Sequence, residues 1–160
     1  MLRNAHPDDA SSICAIYNHY IQHSYATFEE VPLTPEEMRR RIEETTKVYP
    51  WLVWEEESRV EGYSYGRQWR ERAAYRHSVE STIYLEPAAV GKGTGSALFE
   101  ALLTELRNCK FHCVIGGVSL PNPASVALLE KFGLSKVAHF SEVGWKLGRW
   151  IDVGYWQRVL

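Results

Sequence analysis

The sequence predicts a mixed α/β fold with local strand hairpins and one crossover connection. Three observations support this fold class: two adjacent amphipathic helices near the N-terminus, an aromatic-rich hairpin after them, and a central unit of strand, glycine-rich loop and helix. Read in order, the elements are β-α-α-β-β-β-α-β-α-β-β. At 160 residues with 45% hydrophobic content, the chain can bury one core, and we expect a single domain over residues 1–160.

A short strand and two helices are predicted for the N-terminal part. The strand covers residues 2–5, and Asp8 or Asp9 can cap the first helix. The apolar residues of this helix recur with helical spacing and comprise Ile13, Ile16, Tyr17, Tyr20 and Ile21. The second helix begins at a capping box in residues 34–37, with proline at the first helical position, and ends before the Tyr-Pro pair at 49–50.

Three strands and the central helix are predicted for the middle of the chain. Residues 51–55 and 60–69 form a hairpin in which Gly62 can mark a bulge. After a polar loop at 70–74, residues 81–85 form a largely buried strand. A glycine-rich loop then leads into a helix whose apolar stripe comprises Ala97, Leu98, Ala101, Leu102 and Leu106.

The C-terminal part is predicted to add a strand, a helix and a final pair of strands. Residues 111–118 form a buried strand, and Asn122 caps the helix that follows it. Strands at residues 134–140 and 150–160 complete the sheet, and residues 144–149 lie in the connection between them.

The glycine-rich loop carries the chemistry that the residues themselves indicate. Gly91, Gly93 and Gly95 occupy alternate positions just before the central helix. Without Cβ atoms, successive N–H groups can point into one concavity at the positive end of the helix. We therefore expect an anion site here, with a phosphate group as its ligand.

The spacing of the loop excludes two common nucleotide sites. A P-loop requires four residues between its first glycine and Gly-Lys-Ser/Thr, whereas Lys92 precedes two of the glycines. The dinucleotide fingerprint G-x-G-x-x-G fails because Ser96 or Leu98 stands in place of its last glycine.

The composition limits the kinds of molecule that the protein is expected to bind. The net charge is −2, with acidic and basic residues scattered, so we expect no nucleic-acid or membrane surface and a small-molecule partner instead. Three cysteines without metal-binding spacing, and no apolar signal segment, favour a reduced, cytoplasmic protein. His19 and His23 are four residues apart on a helix, but no third ligand is suggested, so we expect no metal site.

The loop resembles the Q/R-x-x-G-x-G/A motif of the GNAT family of N-acetyltransferases, with Val90 in place of Gln or Arg. The segment LPNPASVALLEKFGL at 120–134 is similar to the second motif of that family. The strings PWLV, VESTIYL and KLGRWIDVGYWQ resemble the branch that acetylates phosphinothricin and methionine sulfoximine. The resemblance covers nearly the whole chain and implies the GNAT fold, with a mixed, mostly antiparallel sheet flanked by helices.

The resemblance implies acetyl-CoA as cosubstrate. Backbone groups of Ile83, Tyr84 and Leu85 would bind the pantetheine arm and the acetyl carbonyl, as an added strand pairs with a sheet edge. The residues implied for the pyrophosphate are Gly91, Lys92, Gly93, Thr94, Gly95 and Ser96. Asn122 and Ser125 of the second motif would complete the coenzyme site, although Asn122 can equally be a plain helix cap.

Glu80 matches the glutamate that serves as general base in the phosphinothricin branch. An apolar surrounding would improve it for this role, and an ordinary exposed or ion-paired carboxylate is the alternative interpretation, which spacing alone favours. Many family members have a tyrosine that protonates the leaving sulfur, and Leu129 stands at that position here. Water or substrate would then protonate the thiolate, or the thiolate would leave unaided.

The resemblance implies the α-amine of a small amino acid or analogue as substrate. Arg70 and Arg72 would bind its carboxylate, and the expected substrate-binding set comprises Phe28, Glu29, Arg70, Glu71, Arg72, Tyr75, Glu80, Ser81 and Thr82. A broader amine, polyamine or protein N-terminal acetyltransferase and a non-catalytic acyl-CoA-binding module are the alternatives. Aromatic residues near the C-terminus and the branch resemblance predict a homodimer.

Overall fold

Seven strands form one mixed sheet in the computed structural model, which describes residues 1–160. The strands are β1 (Leu2–Asn4), β2 (Trp51–Glu56), β3 (Arg59–Gln68), β4 (Ser78–Leu85), β5 (Cys113–Leu120), β6 (Ser135–Lys146) and β7 (Arg149–Val159). The helices are α1 (Ala10–His23), α2 (Pro35–Thr45), α3 (Thr94–Asn108) and α4 (Pro123–Lys131). The element order along the chain is the predicted one.

The spatial order of the strands is β1-β2-β3-β4-β5-β7-β6. Only the contact between β4 and β5 is parallel, and the other five contacts are antiparallel. The parallel contact arises because α3 carries the chain back across the sheet between these two strands. The single crossover therefore marks the centre of the fold.

Two hydrophobic cores lie on opposite faces of the sheet. One contains the apolar stripe of α3, with Leu98, Phe99 and Leu102 fully buried, and the other contains the inward faces of α1 and α2. Strand β2 contributes to both, since Leu52 joins the first core while Trp51 and Val53 join the second. This division follows from the alternation of side chains along a strand.

The two N-terminal helices begin differently from one another. The capping box of α2 is confirmed: the Glu37 N–H donates to Thr34 Oγ1 (3.2 Å), and the Thr34 N–H donates to the Glu37 carboxylate (2.7 Å). Asp9 is the N-cap residue of α1, as predicted, but its side chain does not cap the helix. A 3-10 turn precedes α1, and the Asp9 carboxylate accepts from the His6 N–H and pairs with Arg3 instead.

The hairpin of β2 and β3 contains the bulge that Gly62 suggested. Trp54 lies opposite Gly62 and Glu55 opposite Val60, so Glu61 is the extra residue. The strand ends at Gln68, one residue before the predicted end.

The predicted connection at 144–149 is wrong. Strand β6 continues past an irregularity at Phe140 to Gly144 and ends at Lys146, so a two-residue turn joins it to β7. Leu147 (φ 53°) and Gly148 (φ 73°) both have positive φ, as a tight type I′ hairpin requires.

None of the helices combines the length and hydropathy that a membrane span needs.

Candidate active site

A deep cleft opens at the centre of the sheet because β4 and β5 pair over only three residues. Residues 78–80 pair with residues 113–115, and beyond them the strands diverge. The cleft has a volume of about 1050 Å³, at the upper end of the range for small-molecule sites. Residues 81–85 were predicted to be largely buried, but they are half-buried because they border this cleft.

The glycine-rich loop forms one end of the cleft. Gly91 (φ 83°) and Gly93 (φ 89°) both adopt the left-handed conformation, and Gly93 is the N-cap residue of α3. No side chain caps this helix, so the N–H groups of its first turn have no side-chain partner. Such a terminus binds anions, and Gly91, Gly93, Gly95 and Ser96 line the cleft around it.

Two residues of the predicted anion set lie elsewhere. Thr94 is buried within the start of α3, and the exposed Lys92 is not part of the cleft wall. A different cation approaches the site: Lys131, at the end of α4, lines the cleft and donates from Nζ to Ser96 Oγ (2.9 Å). Sequence reasoning missed Lys131 because only the packing of α4 beside α3 brings it there.

Asn122 caps α4 as predicted. Its Oδ1 accepts from the Ser125 N–H at 3.1 Å, and both residues line the cleft. The side-chain NH₂ group of Asn122 has no acceptor within the protein. The cap therefore leaves Asn122 with donors free for a ligand.

The diverging edge of β4 offers backbone groups to the cleft. Ile83, Tyr84 and Leu85 all line it, as predicted for a strand edge that could bind an extended chain of amides. The Leu85 carbonyl already accepts from the Tyr20 hydroxyl (2.6 Å). Ser81 closes the narrow end of the gap, since its hydroxyl donates to the Ile115 carbonyl at 3.3 Å.

Glu80 lies where the two strands begin to separate. Its side chain is 17% exposed, and its Oε2 is contacted by Arg67 through Nε (3.1 Å) and Nη2 (3.0 Å). Partial desolvation of the half-exposed Arg67 guanidinium lowers its pKa, but the hydrogen bond and charge of Glu80 outweigh this effect and raise the pKa above its ordinary value. Of the two environments considered for Glu80, the structure therefore shows the ion-paired carboxylate and not the apolar surrounding.

The second carboxylate oxygen of Glu80 faces β5. A Cβ added at Gly117 would lie 3.5 Å from Glu80 Oε1 and 3.1 Å from the Tyr155 ring. Oε1 accepts no hydrogen bond from the protein, and Glu80 and Tyr155 both line the cleft. One oxygen of Glu80 is thus held by Arg67 and the other is available to a ligand.

Leu129 fills the space over Gly116 on the opposite wall. A Cβ at Gly116 would lie only 2.8 Å from Leu129 Cδ1, and the leucine side chain is 5% exposed. This position therefore presents hydrocarbon rather than a proton donor.

The predicted substrate-binding residues divide into two groups. Phe28, Arg70, Ser81 and Thr82 line the cleft together with Glu80, whereas Glu29, Glu71, Arg72 and Tyr75 do not. The carboxylate of Glu29 is bound by Arg41 at 2.6 Å and by the Tyr17 hydroxyl, and the bond from Arg41 is the main cause of its lowered pKa. The other three residues are exposed in the loop before β4.

Lys146 anchors the wall that carries Phe28. Its side chain is buried, and Nζ donates to the Thr27 carbonyl (2.7 Å) and to the Tyr20 carbonyl (3.5 Å). Burial lowers the pKa of Lys146. The Phe28 ring packs directly on Gly144, which is on β6 like Lys146, and a Cβ added at Gly144 would require the ring to shift. These two contacts fix the segment between α1 and α2 against β6.

Several lining residues were not predicted. The main ones are Arg67, Tyr17, Tyr20, Tyr65, Phe140, Val143, Lys131 and Tyr155.

Burial raises the pKa of Tyr65 and of Tyr84, so these phenols keep their protons near neutral pH and cannot act as bases. No group of three or more His, Cys, Asp or Glu side chains is arranged to hold a metal ion.

Comparison with known proteins identifies the family to which the chain is similar. Residues 2–154 match the family model described as Acetyltransferase (GNAT) domain. The chain is 39% identical over 157 residues to phosphinothricin N-acetyltransferase of Streptomyces viridochromogenes, covering 98% of this chain and 86% of that protein. It is 34% identical over 160 residues to L-methionine sulfoximine/L-methionine sulfone acetyltransferase of Salmonella typhimurium, covering 99% and 94%.

A solved structure gives the same result for the fold. A GNAT superfamily phosphinothricin acetyltransferase from Sinorhizobium meliloti, in complex with AcCoA, superposes with a TM-score of 0.97 at 37% identity. The match covers 100% of this chain and 88% of that one.

Proposed function

Because the chain belongs to the GNAT family of acetyltransferases, we propose that it transfers the acetyl group of acetyl-CoA to the α-amine of a small amino acid or close analogue. One observation carries the proposal: a single cleft joins an uncapped, glycine-rich helix N-terminus to the carboxylate of Glu80. The relatives named for phosphinothricin and methionine sulfoximine indicate the substrate class. Residues 1–160 would act as one domain.

The coenzyme side of the cleft fits a diphosphate and an extended amide chain. Backbone N–H groups around Gly91, Gly93 and Ser96 would hold the diphosphate, with Lys131 supplying a positive charge. The edge of β4 and the free NH₂ group of Asn122 would bind the pantetheine arm. Acetyl-CoA supplies the acetyl group as a reactive thioester.

The amine side of the cleft supplies a base. Glu80 would remove a proton from the substrate ammonium, directly or through one water, so that the nitrogen lone pair can form the amide bond. Leu129 has no proton to give to the departing sulfur. Water or the substrate would supply that proton, or the thiolate would leave unaided.

The proposal is tested by mixing the protein with acetyl-CoA, a panel of amines and a thiol reagent. The panel contains methionine sulfone, methionine sulfoximine, phosphinothricin, a polyamine and a peptide with a free N-terminus. We expect thiol release with the amino-acid analogues. Tight coenzyme binding without thiol release for any amine would instead identify an acyl-CoA-binding module, and release only with the polyamine or peptide would support those alternatives.

Recognition of the α-carboxylate gives a separate prediction. We expect kcat/KM for methionine sulfone to exceed that for its decarboxylated amine by about 10-fold or more, since a charge-assisted hydrogen bond contributes about 1.5–3 kcal/mol. Initial rates of thiol release over a range of amine concentrations measure both constants. Equal efficiency with the two substrates would show a broader amine acetyltransferase.

We propose that the protein is a homodimer that associates through the edge hairpin formed by β6 and β7. Strand β6 is at the edge of the sheet, and apolar side chains on this hairpin are more than half exposed, namely Val137, Val143, Trp145, Leu147, Trp150 and Val159. An exposed edge with such a patch is favourable for association, and two-fold dimers are the commonest oligomers. Of the predicted aromatic set, Trp156 is buried and Tyr155 lines the cleft, so Trp145 and Trp150 carry this proposal.

Sedimentation tests the dimer. We expect a species of twice the 18.4 kDa chain mass at micromolar concentration, and we expect Trp150→Glu to shift it to the monomer. The matched control is Val48→Glu, which places the same charge at an exposed apolar position away from the hairpin. A monomeric wild type would refute the proposal, and so would an unchanged dimer in Trp150→Glu.

A cytoplasmic location is also proposed. The three cysteines form no disulfide, and Cys14 and Cys113 are buried as thiols. Proteins of oxidising compartments commonly use their cysteines in disulfides, so this pattern favours a reducing compartment.

A further inference from the structure

We propose that Arg67 binds the α-carboxylate of the substrate, so that the Arg67–Glu80 ion pair forms one recognition unit for the two charges of an α-amino acid. This inference rests on the proposed function, because it concerns the amine substrate of that reaction. Binding of the carboxylate was expected from Arg70 and Arg72 in the loop before β4, and the inference assigns it to a residue of β3 instead.

Each partner of the ion pair keeps one polar atom that has no hydrogen-bond partner in the protein. Arg67 lies directly opposite Glu80 in the antiparallel register of β3 and β4, and both line the cleft. Nε and Nη2 of Arg67 contact only Oε2 of Glu80. Nη1 of Arg67 has no acceptor in the protein, and Oε1 of Glu80 has no donor.

The exposure of the two side chains fits the same role. The Arg67 side chain is 53% exposed and that of Glu80 is 17% exposed. A guanidinium this accessible can bind a further carboxylate without losing its existing contact, since it has five N–H donors. Glu80 stays fixed against Arg67 while its second oxygen accepts from an ammonium group.

An α-amino acid matches this arrangement because its ammonium and carboxylate are attached to the same carbon. Its ammonium would donate to Glu80 Oε1, and its carboxylate would accept from Arg67 Nη1, so that opposite charges meet in both places. The ammonium is then held against the proposed base. An amine without the carboxylate can satisfy Glu80 only and leaves the guanidinium without its second acceptor.

The other two candidate arginines are placed less suitably. Arg70 lines the cleft, but its guanidinium lies over the Trp69 ring, 4.5 Å from the ring centroid. Arg72 is exposed and outside the cleft wall. Neither forms an ion pair with Glu80, so neither is held beside the base as Arg67 is.

The test compares kcat/KM for methionine sulfone with kcat/KM for its decarboxylated amine in each variant. Both substrates use the same base, so a substitution that impairs Glu80 lowers both values of kcat/KM by the same factor. The ratio of the two values therefore reports only on recognition of the carboxylate. In Arg67→Gln we expect the ratio to fall by about 10- to 100-fold, through loss of the amino acid's advantage in KM. Arg67→Lys should retain part of the ratio, because it keeps the positive charge but not the fork of donors.

The matched control is Arg59→Gln, on the same strand. Arg59 also pairs with a glutamate, Glu86 at 3.5 Å, but neither residue lines the cleft, and we expect its ratio to equal that of the wild type. An unchanged ratio in Arg67→Gln would overturn the inference, and so would a collapse of the ratio in Arg70→Gln or Arg72→Gln with Arg67→Gln unaffected. If the wild type acetylates none of the amino-acid analogues in the panel, the proposed function itself fails; if it prefers another analogue, that analogue and its decarboxylated amine replace the methionine sulfone pair. If it acetylates both members of the pair equally, the acetyltransferase proposal stands and carboxylate recognition by Arg67 does not.

Discussion

Glu80→Gln is expected to lower kcat/KM by about 10²- to 10⁴-fold, the usual contribution of a general base. The substitution keeps the size of the side chain and a carbonyl oxygen that can accept from Arg67, but it removes the group that takes the proton. We expect the effect in kcat/KM for every amine that the wild type accepts. Thiol release under limiting amine concentration measures it, and a separate titration should show that acetyl-CoA binding changes little.

Glu86→Gln is the matched control for this prediction. Glu86 follows the same strand and pairs with Arg59 as Glu80 pairs with Arg67, but it is not part of the cleft wall. We expect near-normal activity from it and unchanged thermal unfolding from both variants. If Glu80→Gln retained near-normal rates from pH 6 to 9, Glu80 would have no role as a base.

Features set by neighbouring residues were predictable from the sequence. The capping box at Thr34 and Glu37 and the cap at Asn122 need only residues within one turn of the chain, and both form as expected. The turn after Lys146 was missed because no Asn-Gly or Asp-Gly pair marks it, and Leu147 adopts a positive φ that its residue type does not suggest.

Features set by long-range packing were not predictable in the same way. Arg67 reaches Glu80 only through the register of β3 against β4, and one residue of slippage would place it on the other face of the sheet. The sequence consequently left open whether Glu80 is ion-paired or has an apolar surrounding, and it did not identify Arg67 as the partner. Lys131 likewise meets Ser96 only because α4 packs next to the start of α3, although the two residues are 35 apart in sequence.

Gly93→Glu is expected to abolish most coenzyme binding. Gly93 is the N-cap residue of α3 at φ 89°, so any side chain there is strained, and a carboxylate would repel the diphosphate that the helix N-terminus is proposed to bind. No atom lies within 4 Å of an added Cβ, so the effect would come from conformation and charge rather than from a clash. Calorimetric titration with acetyl-CoA and with CoA measures the loss without requiring activity.

Gly93→Gln separates the two causes, because glutamine has the same shape and the same backbone strain but no charge. We expect Gly93→Gln to bind acetyl-CoA more weakly than the wild type and Gly93→Glu to bind at least about 10-fold more weakly again, since unit charges about 4 Å apart near a protein surface interact by up to about 4 kcal/mol. The difference between the two variants should shrink as salt is added, because screening weakens repulsion between exposed charges. Equal affinity for the two variants would mean that no negative charge of the coenzyme lies near Gly93. Affinity equal to that of the wild type in both would place the diphosphate elsewhere in the cleft.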